Sequence, residues 1–206
     1  MTDNPNQFWN QRFTTAGDDY LFGTEPNGFL VSQRDLLKPG MKALSVADGE
    51  GRNGVFMASC GVDVLSIDFS PVALQKAKRL ADSKGLGIET REVDLYKWEW
   101  PKEAFDLVVA IFIQFSSATE RPGVFANIRQ CLKPGGVLLL QGYRPKQLEY
   151  GTGGPRVAEN MYTEEILRHE FSGMNITHLS SHDSTVEEGT GHSGLSALID
   201  MVAYKY

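Results

Sequence analysis

Residues 43–54 read Ala-Leu-Ser-Val-Ala-Asp-Gly-Glu-Gly-Arg-Asn-Gly, an apolar run followed directly by a glycine-rich segment. The apolar run is typical of a buried strand, and the glycines predict a turn before the next helix. Gly49 and Gly51 carry no Cβ, so the backbone there can adopt positive φ and a ligand can lie against it. The following helix would present unpaired N–H groups at its start. The segment therefore predicts a strand, a turn and a helix that hold a nucleotide-type ligand.

The glycines at positions 49, 51 and 54 also match the spacing G-x-G-x-x-G, which occurs in dinucleotide-binding proteins. That match is weak evidence on its own, because a chain with 21 glycines also places glycine clusters in ordinary surface turns. The pattern of strands, helices and acidic residues after these glycines is needed to distinguish a ligand-binding turn from a surface turn.

Strand and helix patterns alternate along most of the chain. Ser70 and Pro71, for example, suit the N-cap and the first position of a helix whose apolar stripe follows them. Strands are predicted at residues 42–47, 62–68, 88–93, 105–115, 137–141, 176–186 and 195–204, and helices at residues 29–37, 53–60, 71–84, 121–132 and 164–171. The alternation predicts an α/β fold with a Rossmann-like, doubly wound sheet of seven mostly parallel strands and a C-terminal antiparallel hairpin.

We expect the 206 residues to form a single domain. Residues 1–27, which are polar and aromatic, are predicted to form an N-terminal arm over the site. Residues 143–162 contain two prolines and a Gly-Thr-Gly-Gly run, so they are predicted to form a lid-like insertion without regular structure.

The formal net charge of −6 argues against a broad contact with nucleic acid, which requires clustered Lys and Arg. We interpret the short basic run at Lys76, Lys78 and Arg79 as the exposed face of a helix. The first ten residues lack a basic segment followed by an apolar one, and the longest apolar run, residues 107–113, is too short to span a bilayer. A cytoplasmic protein is therefore expected.

Acidic residues follow the first three predicted strands of the sheet. Asp48, Asp68 and Asp94 stand at the ends of the first, second and third predicted strands, and residues 110–114 close the fourth strand. Ligands of open parallel sheets bind outside the carboxyl ends of the strands, where these groups are expected to lie. A carboxylate after the second strand can accept hydrogen bonds from both ribose hydroxyls, and one after the third can accept from the amino group of adenine. Each aspartate alone is equally well explained as a helix cap or a turn former.

Five segments in this order resemble the motifs of class I S-adenosylmethionine-dependent methyltransferases, namely residues 44–53, 64–70, 93–95, 105–108 and 132–136. The final predicted hairpin is similar to the reversed strand pair that closes the sheet of that family. Residues 20–27, Tyr-Leu-Phe-Gly-Thr-Glu-Pro-Asn, together with residues 49–53, resemble a small bacterial branch related to tellurite-resistance and thiopurine methyltransferases.

This resemblance implies S-adenosylmethionine as the cofactor and assigns residues to it. The glycine turn would line the methionine part, Asp68 would bind the ribose, and Asp94 would meet the amino group of adenine. The full set that the resemblance implies is Ala47, Asp48, Gly49, Gly51, Asn53, Asp68, Phe69, Asp94, Leu95 and Ile111, with Phe69 and Leu95 flanking the adenine and Ile111 behind the methionine chain.

The sequence departs from the family pattern at two positions of the first strand. Many members have an acidic residue where this chain has Ser45, and a glycine where it has Ala47. We expect Asp48 to supply the missing negative charge toward the amino group of the cofactor.

The reaction implied is in-line methyl transfer to a small molecule, with a soft sulfur, selenium or tellurium nucleophile as the expected acceptor. Such a nucleophile needs no base, whereas an amine or a hydroxyl usually does. Candidate residues on the acceptor side, for which ordinary packing or a solvated loop position is the alternative, are Trp9, Arg12, Tyr20, Phe22, Tyr143, Arg144 and His192.

Two other functions share this glycine pattern. One is an NAD(P)-dependent oxidoreductase with Asp68 as its ribose-binding acid, and the other is a non-catalytic S-adenosylmethionine-binding protein. His178, His182, Asp183 and His192 lack the paired spacing of a metal site, and Cys60 and Cys131 belong to no CxxC pair, so no metal is expected. We expect a small-molecule acceptor, no nucleic-acid or membrane partner, and a monomer or weak homodimer.

Overall fold

The computed structural model describes residues 5–206 of the chain. Its strands are β1 (Lys42–Val46), β2 (Asp63–Asp68), β3 (Glu89–Glu92), β4 (Phe105–Ile111), β5 (Leu132–Tyr143), β6 (Met174–Glu188) and β7 (His192–Lys205). They form a seven-stranded sheet in the order β3-β2-β1-β4-β5-β7-β6. β1 with β2, β2 with β3 and β4 with β5 pair in parallel, whereas β5 and β7 are antiparallel. The predicted Rossmann-like fold with a closing hairpin is therefore confirmed.

Seven α-helices connect or flank these strands in the described part of the chain. They are α1 (Pro5–Thr15), α2 (Gly28–Ser32), α3 (Arg52–Ser59), α4 (Pro71–Ser83), α5 (Arg121–Cys131), α6 (Gln147–Tyr150) and α7 (Glu164–Glu170). Two 3-10 helices cover Arg34–Leu36 and Ala158–Asn160. Among the residues described, no helix has the length and apolar character needed to cross a membrane.

The chain packs into two compact units. The first unit comprises the described residues up to Lys97 together with Glu188–Gly191, and the second comprises Trp98–Glu187 together with His192–Tyr206.

In the first unit, β1 and β2 are buried strands that end side by side, because Val46 lies opposite Ile67 in the parallel ladder. The helix that follows β2 begins where the sequence predicts it. The Ser70 hydroxyl accepts a hydrogen bond from the N–H of Ala73 at 3.2 Å, and Pro71 occupies the first helical turn. The carboxyl ends of β1 and β2 therefore lie beside the start of α4.

In the second unit, β4 and β5 are the most buried strands, and Ile111 lies opposite Gln141 near their carboxyl ends. Tyr143, the last residue of β5, lies opposite Leu198 of the antiparallel strand β7. The start of β7 and the ends of β4 and β5 thus reach the same edge of the unit. This edge carries the aromatic residues described below.

The described part of the N-terminal arm contains α1, and the first four residues of the arm lie outside the described part of the chain. Two local predictions were wrong. The helix predicted over residues 29–37 is split into α2 and a 3-10 turn. The predicted lid-like insertion contains α6 and a second 3-10 turn.

The interpretation of the basic run was also wrong for one residue. Lys76 is 1% exposed, whereas Lys78 and Arg79 are exposed as expected. Lys76 lies three residues after Ala73 and four before Leu80, so it belongs to the buried face of α4. A buried ammonium requires partners, which the glycine turn and the arm provide.

Candidate functional site

The glycine turn after β1 is a run of unusual backbone conformations in the first unit. Ala47, Gly49 and Gly51 have φ values of 48°, 59° and 87°. A Cβ added to Gly51 would lie 2.5 Å from the Cβ of Ala77, so α4 packs directly against the turn. Gly51 is therefore required both for its φ and for this close approach. Ala47 adopts the same region with a side chain, which is a source of strain.

Asp68, at the end of β2, connects the glycine turn to the start of α4. One carboxylate oxygen accepts the N–H of Gly49 at 2.9 Å, and the other accepts the N–H of Ser70 at 2.9 Å. The side chain is buried, and this burial raises the pKa of Asp68 to about 6. The Phe69 N–H also interacts with this carboxylate, which with its four lone pairs keeps acceptor capacity for a further hydroxyl group.

The carboxylate of Asp48 was expected to face the amino group of the cofactor, but its partners lie within the protein. It accepts hydrogen bonds from the Ser66 hydroxyl at 2.7 Å and from the N–H of Gly54 at 3.2 Å. Burial raises the pKa of Asp48, while hydrogen bonds from Ser66 and Ser45 oppose that shift. The side chain therefore holds the first turn of α3, where a negative charge is favourable, instead of extending toward a ligand.

This contact also explains the third glycine of the G-x-G-x-x-G match. A Cβ at Gly54 would lie 2.4 Å from a carboxylate oxygen of Asp48, so a larger residue would displace that carboxylate. Gly54 thus makes room for a helix cap.

The remaining residues that the resemblance assigns to the cofactor differ in their partners and in their burial. The Asn53 side-chain oxygen accepts the N–H of Asn27 at 3.0 Å, so it already has a partner within the protein. Asp94 pairs with Lys97 at 3.0 Å, and the hydrogen bond from Lys97 lowers the pKa of Asp94. Leu95 is buried and Phe69 is half-buried, both in the first unit, whereas Ile111 belongs to the second.

A buried ion pair fastens the arm to the glycine turn. The Lys76 ammonium lies 2.9 Å from a Glu50 oxygen, and each of these side chains is only 2% exposed. The ammonium also donates to the carbonyl oxygens of Phe13 at 3.0 Å and Asp19 at 2.8 Å, so all three of its donors have acceptors. The other Glu50 oxygen accepts the N–H of Phe22 at 3.3 Å. Neither member of this pair was predicted as a site residue.

Aromatic side chains of the arm also reach the glycine turn. The ring of Trp9 lies 6.1 Å from that of Phe13 and 6.0 Å from that of Phe22. A Cβ at Gly49 would lie 3.5 Å from the Phe13 ring, so this ring covers the turn. Trp9 and Phe22 are thus brought together beside the turn.

The other two candidates in the arm are placed differently. The Arg12 guanidinium lies 5.0 Å above the Trp9 ring and, with Tyr20, lines an open groove of about 960 Å³ along α1. Tyr20 also packs against Val55 and Leu80, and its hydroxyl donates to the Lys76 carbonyl at 3.1 Å. Tyr20 therefore anchors the arm.

Glu188, at the end of β6, is a second anchor of the first unit. Its carboxylate pairs with Arg52 at 2.5 Å and accepts the side-chain amide of Asn27 at 2.9 Å. The N–H of Gly28 also donates to it at 3.3 Å. These contacts join the start of α3 to the start of α2.

In the second unit, Tyr143 and His192 are brought together by a third residue, Phe112. The Phe112 ring stacks on Tyr143 at 4.7 Å between centroids and meets His192 edge to face at 4.4 Å. The Tyr143 and His192 rings are 5.8 Å apart. Phe112 was not predicted as a site residue, and its φ of 56° is rare for a bulky side chain. We call these three residues the aromatic cluster.

Arg144, in contrast, is held by the terminal hairpin. It donates to the carbonyl oxygens of Leu198 at 2.9 Å and His182 at 3.1 Å, and it forms an ion pair with Asp183. The guanidinium therefore has partners on both strands of the hairpin. These contacts give Arg144 a structural role in the hairpin, in contrast to the anion-binding role considered for it.

The histidines that suggested a metal site are dispersed. His182 lies 2.8 Å from Asp200 and 2.9 Å from the Ser184 hydroxyl, while Asp183 is occupied by Arg144 and Lys146. Within residues 8–206, no three His, Cys, Asp or Glu side chains converge in a way that could hold a metal ion.

Part of the chain is similar to known methyltransferases. Residues 43–136 match the family model described as a methyltransferase domain. Phosphoethanolamine N-methyltransferase 3 of Arabidopsis thaliana is 32% identical over 126 residues, which cover 59% of this chain and 24% of that protein. The chain therefore spans about a quarter of the length of that curated relative.

Solved structures share the fold at low sequence identity. TehB of Haemophilus influenzae superimposes with a TM-score of 0.73 at 17% identity, covering 96% of this chain and 67% of that one. A protein solved in work on the conversion of a disulfide bond into a thioacetal group during echinomycin biosynthesis superimposes with a TM-score of 0.74 at 17% identity, covering 96% and 93%. At this identity the likeness concerns the fold.

Proposed function

We propose that this protein is an S-adenosylmethionine-dependent methyltransferase acting on a small molecule. One observation carries the proposal: the buried Asp68 carboxylate lies at the end of β2 and accepts the N–H of Gly49 from the glycine turn after β1. This turn and carboxylate lie within the residues that match a methyltransferase domain.

The residues present fit this cofactor. Asp68 keeps acceptor capacity for a ribose hydroxyl, and its contact with the Gly49 N–H places the backbone of the glycine turn beside that carboxylate. Phe69 and Leu95 provide apolar surface for an adenine ring, with Asp94 as acceptor for its amino group. Ala47, Asn53 and Ile111 complete the set that the resemblance implies. Asp48 contributes by holding the turn in place.

The cofactor, when bound, supplies a methyl group on a sulfonium that is already activated for displacement. The protein has to bind the acceptor in line with the S–CH3 bond and keep water out. In the first unit, the rings of Trp9, Phe13 and Phe22 exclude water from the side of the glycine turn, since Phe13 lies against Gly49.

We propose a soft sulfur, selenium or tellurium nucleophile as the acceptor, as in the branch related to tellurite-resistance and thiopurine methyltransferases. The resemblance of residues 20–27 and 49–53 to that branch is the basis of this choice. An amine is the second candidate, because the plant relative is named as an N-methyltransferase. The protein is expected to act as a cytoplasmic monomer or weak homodimer, which light scattering in solution would test.

Two measurements test the proposal. Calorimetry with S-adenosylmethionine, S-adenosylhomocysteine and NADH distinguishes a methyltransferase from an oxidoreductase. Methyl transfer from labelled cofactor to thiols, selenite, tellurite, thiopurines and small amines then identifies the acceptor. Tight cofactor binding with no transfer to any of these would instead indicate a binding protein without catalysis.

A further inference from the structure

A row of four polar side chains crosses the terminal strands of the second unit. It runs from Gln141 on β5 through Asp200 on β7 to His182 and Ser184 on β6. Gln141 and Asp200 are 4% and 8% exposed, and they lie in stretches of β5 and β7 that are otherwise apolar and buried. The methyl-transfer site proposed above uses none of these four residues. The row therefore forms a separate polar site within the second unit.

Each member of the row orients the next. The Gln141 side-chain amide donates to one Asp200 oxygen at 2.6 Å, and the other Asp200 oxygen lies 2.8 Å from Nε2 of His182. Nδ1 of His182 lies 2.9 Å from the Ser184 hydroxyl. An ionised carboxylate only accepts hydrogen bonds, so we assign the proton of the neutral imidazole to Nε2. Nδ1 is then an acceptor, and the Ser184 hydroxyl donates to it.

This arrangement has the parts of an activated serine nucleophile. Such a site needs a hydroxyl within about 2.6 to 3.2 Å of a base, and a third group that orients the base. Ser184, His182 and Asp200 meet these requirements, and Gln141 is a positioning residue for the carboxylate. The hydroxyl and the base are reachable from solvent, because Ser184 is half-buried and the His182 side chain is 33% exposed.

We propose that Ser184 is a nucleophile that takes an acyl group from a small activated ester or thioester. This inference goes beyond methyl transfer and does not depend on it. The donor class follows from the exposure of the site. A solvent-exposed site stabilises a developing oxyanion less than a dry one does, so the donor has to carry a good leaving group.

The step uses only the serine, the imidazole and the donor. The Ser184 oxygen forms a bond to the carbonyl carbon of the donor, and the bond from that carbon to its phenolate or thiolate leaving group breaks. The Ser184 proton passes to Nδ1 of His182 and then to the leaving group. The products are an acylated Ser184, a free phenol or thiol, and the neutral imidazole.

Covalent labelling of the full chain tests this assignment. A fluorophosphonate probe reacts with activated serines, and p-nitrophenyl acetate supplies an acetyl group, so peptide mapping by mass spectrometry should place both labels on Ser184. His182→Gln should slow this labelling by about a hundredfold, because the general base is lost. Ser184→Ala should abolish it. Ser181→Ala, at an exposed serine of the same strand, is the matched control and should leave the labelling rate unchanged.

Labelling of neither serine, or labelling of Ser184 and Ser181 at equal rates, would overturn the inference. An unchanged rate in folded His182→Gln protein would overturn it too, because it would show that His182 has only a packing role. If His182→Gln does not fold, Ser184→Cys and Ser181→Cys replace it. Iodoacetamide should then alkylate position 184 at least about tenfold faster than position 181. Equal alkylation rates would overturn the inference.

Discussion

The carboxyl ends of β1 and β4 both carry residues with positive φ, but they use them differently. After β1, Gly49 and Gly51 turn the backbone, and main-chain N–H groups meet the buried carboxylate of Asp68. After β4, Phe112 turns the backbone, and the contacts are ring against ring with Tyr143 and His192. The first region is built from backbone, which suits a ligand common to many proteins. The second is built from aromatic side chains that pack against one another.

The largest effect is expected from breaking the ion pair that fastens the arm to the glycine turn. Lys76→Met leaves Glu50 buried without its counter-charge, which should lower the free energy of unfolding by about 3 to 5 kcal/mol. Urea unfolding measures the loss. Lys78→Met, at an exposed position of the same helix, is the control and should change stability by less than about 0.5 kcal/mol. Similar stability in the two variants would show that the pair does not hold the first region together.

The second largest effect is expected on cofactor affinity, which depends on the first region. Asp68→Ala removes a buried acceptor for the ribose hydroxyls, so affinity for S-adenosylhomocysteine should fall about a hundredfold, or roughly 3 kcal/mol. Asp63→Ala, at the exposed start of the same strand, should not alter it. Unchanged calorimetric affinity in a folded Asp68→Ala protein would remove Asp68 from the cofactor site.

The sequence predicted the first region better than the second for a physical reason. Glycines and strand-ending aspartates are local signals, and Ser70 with Pro71 marks the start of α4 without tertiary information. The Glu50–Lys76 pair joins residues from separate elements, so its partners could not be read from local sequence. The spacing of Lys76 from Ala73 and Leu80 was nevertheless a signal, which our interpretation missed, that Lys76 lies on the buried face of α4. Phe112 gave no signal, because an aromatic residue at the end of an apolar run is ordinary in sequence and unusual only in its φ.

A smaller effect follows from the raised pKa of Asp68, about 6. The ribose hydroxyls require the ionised carboxylate, so cofactor affinity should fall about tenfold as the pH drops from 7 to 5 and level off above about 7. The stability of the cofactor-free protein should change with pH in the opposite direction. The folded state binds the Asp68 proton more tightly than the unfolded state does, so the contribution of Asp68 to the free energy of unfolding decreases as the pH rises from about 4 to 6. Calorimetry across this range should give a flat profile for Asp68→Asn, and a flat wild-type profile would contradict the assignment.

The smallest effect compares the two strained residues directly. Ala47→Gly relieves a positive φ at little cost in packing, so it should raise the free energy of unfolding by about 0.5 to 1 kcal/mol. Phe112→Gly relieves similar strain but loses the ring contacts, so its net effect should be a loss of about 1 kcal/mol. Ala58→Gly within α3 should destabilise by about 1 kcal/mol through helix propensity alone. Thermal unfolding measures all three, and destabilisation by Ala47→Gly would show that the turn tolerates alanine without strain.

The central claim is that the glycine turn and Asp68 bind S-adenosylmethionine. Isothermal titration of the wild-type protein with S-adenosylhomocysteine and, separately, with NADH tests it most directly, because the two nucleosides would compete for the same turn and carboxylate. The account predicts binding of S-adenosylhomocysteine that weakens in Asp68→Ala, with no measurable binding of NADH. Binding of NADH without binding of S-adenosylhomocysteine would contradict this claim. The G-x-G-x-x-G spacing would then indicate a dinucleotide-binding site.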